Sequence, residues 1–193
     1  MKKYVAFLRG INVGGHRKIK MEDLRKLVEK LGFKNVKTYI QSGNLIFETE
    51  LNHCEAIAES IKEKIRVDYG FDVPAIVFDA EKFKEYVEFN PFRISEKVDN
   101  KGNTEIEKKE NLDRKEYFIF LDSLPDFENQ RNLPEVNPET TQYFLHERVL
   151  YLRLVEPYHQ AKFTHKTVEK YLELNATARN INTVEKMVEL LGK

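Results

Sequence analysis

The hydrophobic pattern of residues 1–92 changes in a fixed order, and this order constrains the fold more than any other feature of the chain. Residues 3–8 form an apolar run of strand length, and apolar residues over 21–31 recur at the spacing of three and four that is typical of a helix. Two strand-like runs flanking a tight turn at 41–44 follow, and then a second helical pattern and a last strand. With right-handed crossovers, the order β-α-β-β-α-β predicts a four-stranded antiparallel sheet with two helices on one face, the ferredoxin-like fold.

The second half of the chain repeats part of this order. Residues 93–114 carry many charges and few apolar side chains, which favours a loop between two subdomains. The order strand-helix-strand-strand-helix then recurs, but the chain ends in a helix, for which Asn182 and Glu185 resemble a capping box. We therefore predict an α+β protein. Its parts are an N-terminal ferredoxin-like βαββαβ subdomain with a trailing short helix over 1–92, a charged loop over 93–114, and a second, degenerate α+β subdomain over 115–193.

Charge and composition narrow the functional classes. Lys plus Arg and Asp plus Glu both total 32, so no net charge favours nucleic acid or a membrane as partner. No stretch approaches the roughly 20 apolar residues of a membrane span, and the apolar run at the N-terminus is too short for a signal peptide. The single cysteine, Cys54, excludes an intrachain disulfide. We expect a cytoplasmic protein without a membrane partner, and the sequence does not indicate its oligomeric state.

No motif in the chain assigns a reaction. The histidines show no metal-ligand spacing, and Ser42 precedes Gly43 but lacks the Gly-x-Ser-x-Gly pattern of a nucleophile elbow. Cys54 has no evident base beside it, so an inert thiol is the favoured interpretation. We expect no metal and no cofactor, and whether the protein is an enzyme stays open.

Polar residues follow the first two predicted strands. These strands run in the same direction, so the loop after the first and the turn after the second are expected at one edge of the sheet. This arrangement predicts one wall of a ligand site, made of Arg9, Asn12, Gln41, Ser42 and Asn44. The first helix begins there beside a basic run, and a helix start favours phosphate or carboxylate. The glycines of residues 10–15 match neither the dinucleotide-binding fingerprint nor a P-loop, and a purely structural loop is an equally good interpretation.

A second polar cluster precedes the last helix, at residues 177–183. Arg179 and Asn180, together with Lys162, would form the opposite wall of the site. The alternative is that the asparagine and threonine side chains only cap the helix, which those residue types often do.

Several segments resemble the bacterial family known as domain of unknown function 1697. The resembling residues are 4–15, Met21, Leu24, 31–33, 38–44, 90–92 and 177–184. The resemblance covers nearly the whole chain. It implies two α+β subdomains, the first of them ferredoxin-like, and it implies no activity.

Three functional hypotheses follow. The leading one is a protein that binds a small anionic or nucleotide-like ligand in a cleft between its two subdomains. A nucleic-acid-binding module is a second hypothesis, suggested by the basic residues 17–20 but disfavoured by the balanced charge. The third is an interaction or scaffold protein without catalysis, whose charged segment around residues 97–110 folds on a partner.

Overall fold

The computed structural model of the chain describes residues 1–98, 104–108 and 115–193. In chain order its strands and helices are β1 (Lys2–Leu8), α1 (Met21–Lys30), β2 (Lys34–Tyr39), β3 (Asn44–Thr49), α2 (Cys54–Tyr69), β4 (Ala75–Asp79), α3 (Ala80–Phe89), β5 (Ile94–Val98), β6 (Thr104–Lys108), β7 (Lys115–Leu121), α4 (Phe127–Arg131), β8 (Thr141–His146), β9 (Val149–Leu154), α5 (His165–Leu172), β10 (Ala176–Asn180) and α6 (Ile181–Leu191).

The first half has the predicted ferredoxin-like topology. Its sheet has the order β2-β3-β1-β4, and every neighbouring pair is antiparallel. The apolar stripe of α1, with Leu24, Leu27 and Val28, is buried against one face of this sheet together with the apolar side of α2. Asp79 ends β4 and caps α3, because its carboxylate accepts a hydrogen bond from the Lys82 backbone N–H at 2.9 Å.

The second half is more regular than the sequence indicates. Its sheet has the order β8-β9-β7-β10, which repeats the topology of the first sheet strand for strand. The fourth strand, β10, was not predicted, because the side chains of Thr177 and Arg179 break the apolar pattern although both are buried. The prediction that Asn182 caps the last helix is also wrong. Asn180 caps α6 instead, accepting from the Thr183 N–H at 2.8 Å.

The segment between the halves contains a strand pair where a loop was expected. Residues 94–98 and 104–108 pair as the antiparallel strands β5 and β6. The sequence gives no sign of them, since both runs are rich in charged residues and lack an apolar stripe. The remaining parts of the expected loop, residues 99–103 and 109–114, lie outside the described residues.

The two sheets face each other across a shared apolar layer. The rings of Phe7 in β1 and Phe120 in β7 stack across this layer, with centroids 4.4 Å apart and planes 3° from parallel. These phenylalanines occupy equivalent positions in the two sheets, because Phe7 pairs with Ile76 as Phe120 pairs with Thr177. Helices α3 and α6 pack into the same layer. Both faces of each sheet are consequently buried.

None of the helices in the described part of the chain has the length and apolar character needed to cross a bilayer.

Candidate anion site

The loop after β1 and the turn after β2 emerge at one edge of the first sheet, as predicted. Both strands pair antiparallel with β3 and therefore run in the same direction. The Leu8 N–H donates to the Gly43 carbonyl at 2.8 Å, and the Asn12 side-chain amide donates to the Gln41 carbonyl at 2.9 Å. We call residues 9–20 the glycine loop and residues 40–43 the hairpin turn.

The Asn12 side chain stabilises the glycine loop by hydrogen bonds to the backbone of the same loop. Its backbone lies in the left-handed region with φ of 56°, which asparagine adopts more readily than most residues. Its amide donates to the Ile19 carbonyl at 2.9 Å, and its side-chain oxygen accepts from the Ile19 N–H at 2.9 Å. The Asn12 side chain therefore shapes the loop and is already hydrogen-bonded.

Arg9 is paired with an anion that belongs to the protein. Its guanidinium forms a two-point ion pair with the carboxylate of Glu169 in α5, with 2.5 Å between Nη2 and Oε2. Oxygen Oε1 of Glu169 also accepts from the Ala176 N–H at 2.9 Å. Arg9 was predicted to bind a ligand; its guanidinium is paired instead with Glu169, which lies 160 residues away and which no sequence pattern identifies.

Arg179 uses every donor of its guanidinium inside the protein. Nη2 donates to the carbonyls of Leu8 at 2.9 Å and Ser42 at 2.8 Å, and Nε donates to Oδ1 of Asn44. Nη1 donates to Oγ1 of Thr177 and to the Ala178 carbonyl, both at 2.8 Å. The side chain has no carboxylate partner among the described residues. Burial therefore lowers its pKa to about 10, which leaves it charged at neutral pH.

Ser42 and Asn44 complete this buried network. Asn44 is fully buried, and its amide donates to the Tyr39 carbonyl at 2.9 Å and to the Ser42 hydroxyl at 3.0 Å. Arg179 contacts both residues directly, so the hydrogen-bonding groups that meet at this part of the boundary between the halves bind one another.

The other two residues of the expected second wall do not join the network. The Asn180 side chain is used as the cap of α6. Lys162 is exposed in the segment before α5, and its ammonium group forms no hydrogen bond or ion pair within the described part of the chain.

A depression of about 550 Å³ lies beside the glycine loop, and we call it the loop pocket. Its lining includes Asn12, Gly15, Lys18, Lys20, Gln41 and Tyr69. Tyr69 reaches the pocket from the end of α2. Lys18 and Lys20 also favour an anionic ligand, as the predicted wall does, although they are not among the predicted ligand-binding residues.

Helix α1 begins at this pocket without a side-chain cap. Lys20 occupies the N-cap position and provides no acceptor for the first N–H groups. Arg17, Lys18 and Lys20 have no ion pair or side-chain hydrogen bond within the described residues. Glu22 in the first turn is 2.7 Å from Lys26 and is thus engaged elsewhere. Asp23 is the acidic residue in the pocket lining.

A smaller cavity of about 250 Å³ lies at the boundary between the halves, lined by Cys54 of the first half and Arg148 of the second among other residues. Burial raises the pKa of the Cys54 thiol, which favours the unreactive protonated form. No group of three or more histidine, cysteine or acidic side chains in the described part of the chain is arranged to hold a metal ion.

The fold and the site together define an α+β protein of two ferredoxin-like units, with a basic pocket at the rim of the first. A family model described as "Protein of unknown function (DUF1697)" matches residues 1–151. The chain belongs to this family, as its motifs indicate.

A solved protein structure is similar to this chain over almost its whole length. It is the conserved bacterial protein SP0830 from Streptococcus pneumoniae, with a TM-score of 0.69 at 21% identity, and the match covers 98% of each chain. At this identity the similarity establishes the fold alone. No curated protein matches the chain.

Proposed function

We propose that this protein binds a small anionic or nucleotide-like ligand in the loop pocket. The observation that carries the proposal is a pair of exposed cations, Lys18 and Lys20, which form no ion pair or side-chain hydrogen bond in the described residues and line the pocket at an uncapped helix start. We further propose that the protein acts in the cytoplasm.

Electrostatics favour an anion at this place. The N-terminus of a helix carries a partial positive charge, and the first N–H groups of α1 have no partner in their own helix. Lys20 at the N-cap adds a full positive charge where an acceptor side chain is usual. Asp23 offsets part of this charge, and a bound phosphate or carboxylate would offset more.

The size and lining suit a nucleotide-sized ligand. A volume of about 550 Å³ lies within the usual range for small-molecule pockets, roughly 300–1,000 Å³. Tyr69 supplies an aromatic wall, and Gln41 and Lys18 supply polar groups on other sides. This combination of one ring with a few polar groups is typical of such sites.

The contacts of the arginines favour the loop pocket over a cleft between the halves. Arg9 is paired with Glu169, and all five guanidinium donors of Arg179 are used by carbonyl and side-chain oxygens of the protein. In this form of the proposal Arg9, Asn12, Ser42, Asn44 and Arg179 support the pocket. Lys162 remains a candidate ligand contact from the second half.

Nucleic acid is the less favoured partner. RNA-binding ferredoxin-like domains stack bases on an open sheet face. In this protein Tyr4 and Ala6 are buried under helices on one face of β1, and Val5 and Phe7 are buried between the sheets on the other. An interaction role for residues 97–110 concerns a segment that is partly outside the described residues.

Phosphate-probe titrations test the proposal. Inorganic phosphate, pyrophosphate and AMP would be titrated into the protein, and binding followed by amide NMR shifts. We expect shifts in the glycine loop and the first turn of α1. K18A and K20A should each weaken binding about tenfold, which is about 1.4 kcal/mol.

Control variants locate the effect. Lys2 is exposed at the opposite end of β1, so K2A removes one charge without touching the pocket and should leave binding unchanged. K162A decides whether the second half contributes. Binding that is absent for all three probes, or equal in K2A, K18A and K20A, would contradict the proposal. Retention on heparin with a steep salt dependence would favour nucleic acid instead.

A further inference from the structure

The guanidinium of Arg179 connects the second half of the protein to both segments that frame the loop pocket. It bonds to the Leu8 carbonyl, which precedes the glycine loop, and to the Ser42 carbonyl in the hairpin turn. These two segments also contact each other, since the Leu8 N–H donates to the Gly43 carbonyl at 2.8 Å. Arg179 therefore ties the end of β1 and the hairpin turn to β10.

The position of Arg179 in the sheet makes this role unusual. By register Arg179 corresponds to Phe78 of the first half, because Arg179 pairs with Phe118 as Phe78 pairs with Val5. An apolar side chain would satisfy that position between the sheets. The arginine is 7% exposed and has no carboxylate beside it in the described residues, which makes its burial costly. Five hydrogen bonds to fixed acceptors offset this cost and impose a single geometry on them.

We propose that Arg179 is a positioning residue for the loop pocket: from the second half, it holds the glycine loop and the hairpin turn in the arrangement that binds the anion. This inference rests on the proposed function. It adds that binding in the first half depends on a side chain of the second half that the ligand does not touch.

Variants of two buried arginines separate positioning from general stability. R179M keeps most of the side-chain volume and removes all five donors. Arg153 is the matched control, since it is 6% exposed, pairs with Glu116 at 2.7 Å and donates to the Phe92 carbonyl at 2.6 Å, away from the loop pocket. R153M therefore also removes a hydrogen-bonded buried arginine.

Two measurements are made on both variants and on the unmodified protein. Hydrogen exchange is followed at the Leu8 and Ile19 amides, relative to the amides of α2, which contains neither variant position, in the same sample. We expect the relative rates to rise at least about tenfold in R179M and to stay unchanged in R153M. Inorganic phosphate affinity should fall about tenfold in R179M only.

R179K provides a second variant that keeps the charge. A lysine cannot reproduce the planar fork of donors, so we expect weakened phosphate binding and faster exchange in R179K as well. Full recovery in R179K, or equal effects of R179M and R153M, would overturn the inference. Absence of phosphate binding in the unmodified protein would refute the proposed function, while the exchange rates would still decide whether Arg179 positions the loop.

Discussion

Replacing Gly43 with alanine tests how closely the hairpin turn approaches β1. Gly43 has φ of +74°, and a Cβ added to it would lie 2.7 Å from Cβ of Leu8 and 2.8 Å from Cδ1 of Ile11. The end of the Ile11 side chain can move, but Cβ of Leu8 is fixed to the backbone of β1. The strand and the turn would therefore have to separate at the hydrogen bond that joins Leu8 to Gly43.

The expected loss of stability has two parts. A left-handed backbone costs a residue with a side chain about 1–2 kcal/mol. Overpacking of a tight contact costs about 1–3 kcal/mol more, so G43A should reduce the free energy of unfolding by about 2–5 kcal/mol. Urea-induced unfolding followed by circular dichroism measures this quantity, provided the slope with denaturant is unchanged.

Gly70 provides a control that isolates the contact from the backbone. Its φ is +76°, nearly that of Gly43, but an added Cβ would have nothing within 4 Å. G70A should therefore cost only the backbone part, about 1–2 kcal/mol. If G43A destabilises the protein no more than G70A does, the hairpin turn does not approach Leu8 as closely as described. The close contact between the hairpin turn and β1 beside the loop pocket would then be refuted as well.

Three further predictions concern the contacts between the halves. A double-mutant cycle on R9A and E169A should give a coupling energy of about 1–2 kcal/mol in urea unfolding, since both side chains are partly buried, and zero coupling would contradict the ion pair. Burial, aided by the nearby charge of Arg9, lowers the pKa of His165. The unfolded chain therefore gains a proton more readily, and stability should fall as pH drops through about 6.5 toward the lower pKa of the folded state; H165N should show a smaller fall, and an equal fall would refute this assignment. Because the halves share the apolar layer between the sheets, residues 1–92 and 115–193 should fold only when coexpressed, and a stable monomer of 1–92 alone would contradict this.

The first half of the fold could be predicted because its signals are local. The stripe of α1 repeats at helical spacing, the turn at residues 41–44 is short, and Asp79 caps the helix that follows it directly. From these elements, the chirality of crossovers leaves few arrangements of the sheet. The placement of the glycine loop beside the hairpin turn followed from strand direction alone.

In the second half, the sequence patterns did not predict strand β10 or the partner of Arg9. In β10 the buried positions hold Thr177 and Arg179, so apolar alternation is missing where the strand lies. The partner of Arg9 is equally hidden, because Glu169 is one acidic residue among many and is close to Arg9 only in three dimensions. The sequence could predict that the arginines need electron-rich partners, but not that the protein supplies those partners itself.

The two units differ in which arginine binds the carbonyl at the end of their first strand, and this difference concerns the edge of the sheet beside the loop pocket. In the second unit Arg148, from the unit's own hairpin, donates to the Leu121 carbonyl at 3.1 Å and lies 4.5 Å from the ring of Phe78. In the first unit the corresponding carbonyl, that of Leu8, is bound by Arg179 from the opposite unit. The rim of the first unit is therefore held across the boundary, whereas the rim of the second is held from within. By the positioning role proposed for Arg179, a change in the contact between the units would alter the loop pocket through the Leu8 and Ser42 carbonyls. The hydrogen bonds by which Arg179 joins the two halves would in this way also affect the affinity of the proposed anion site.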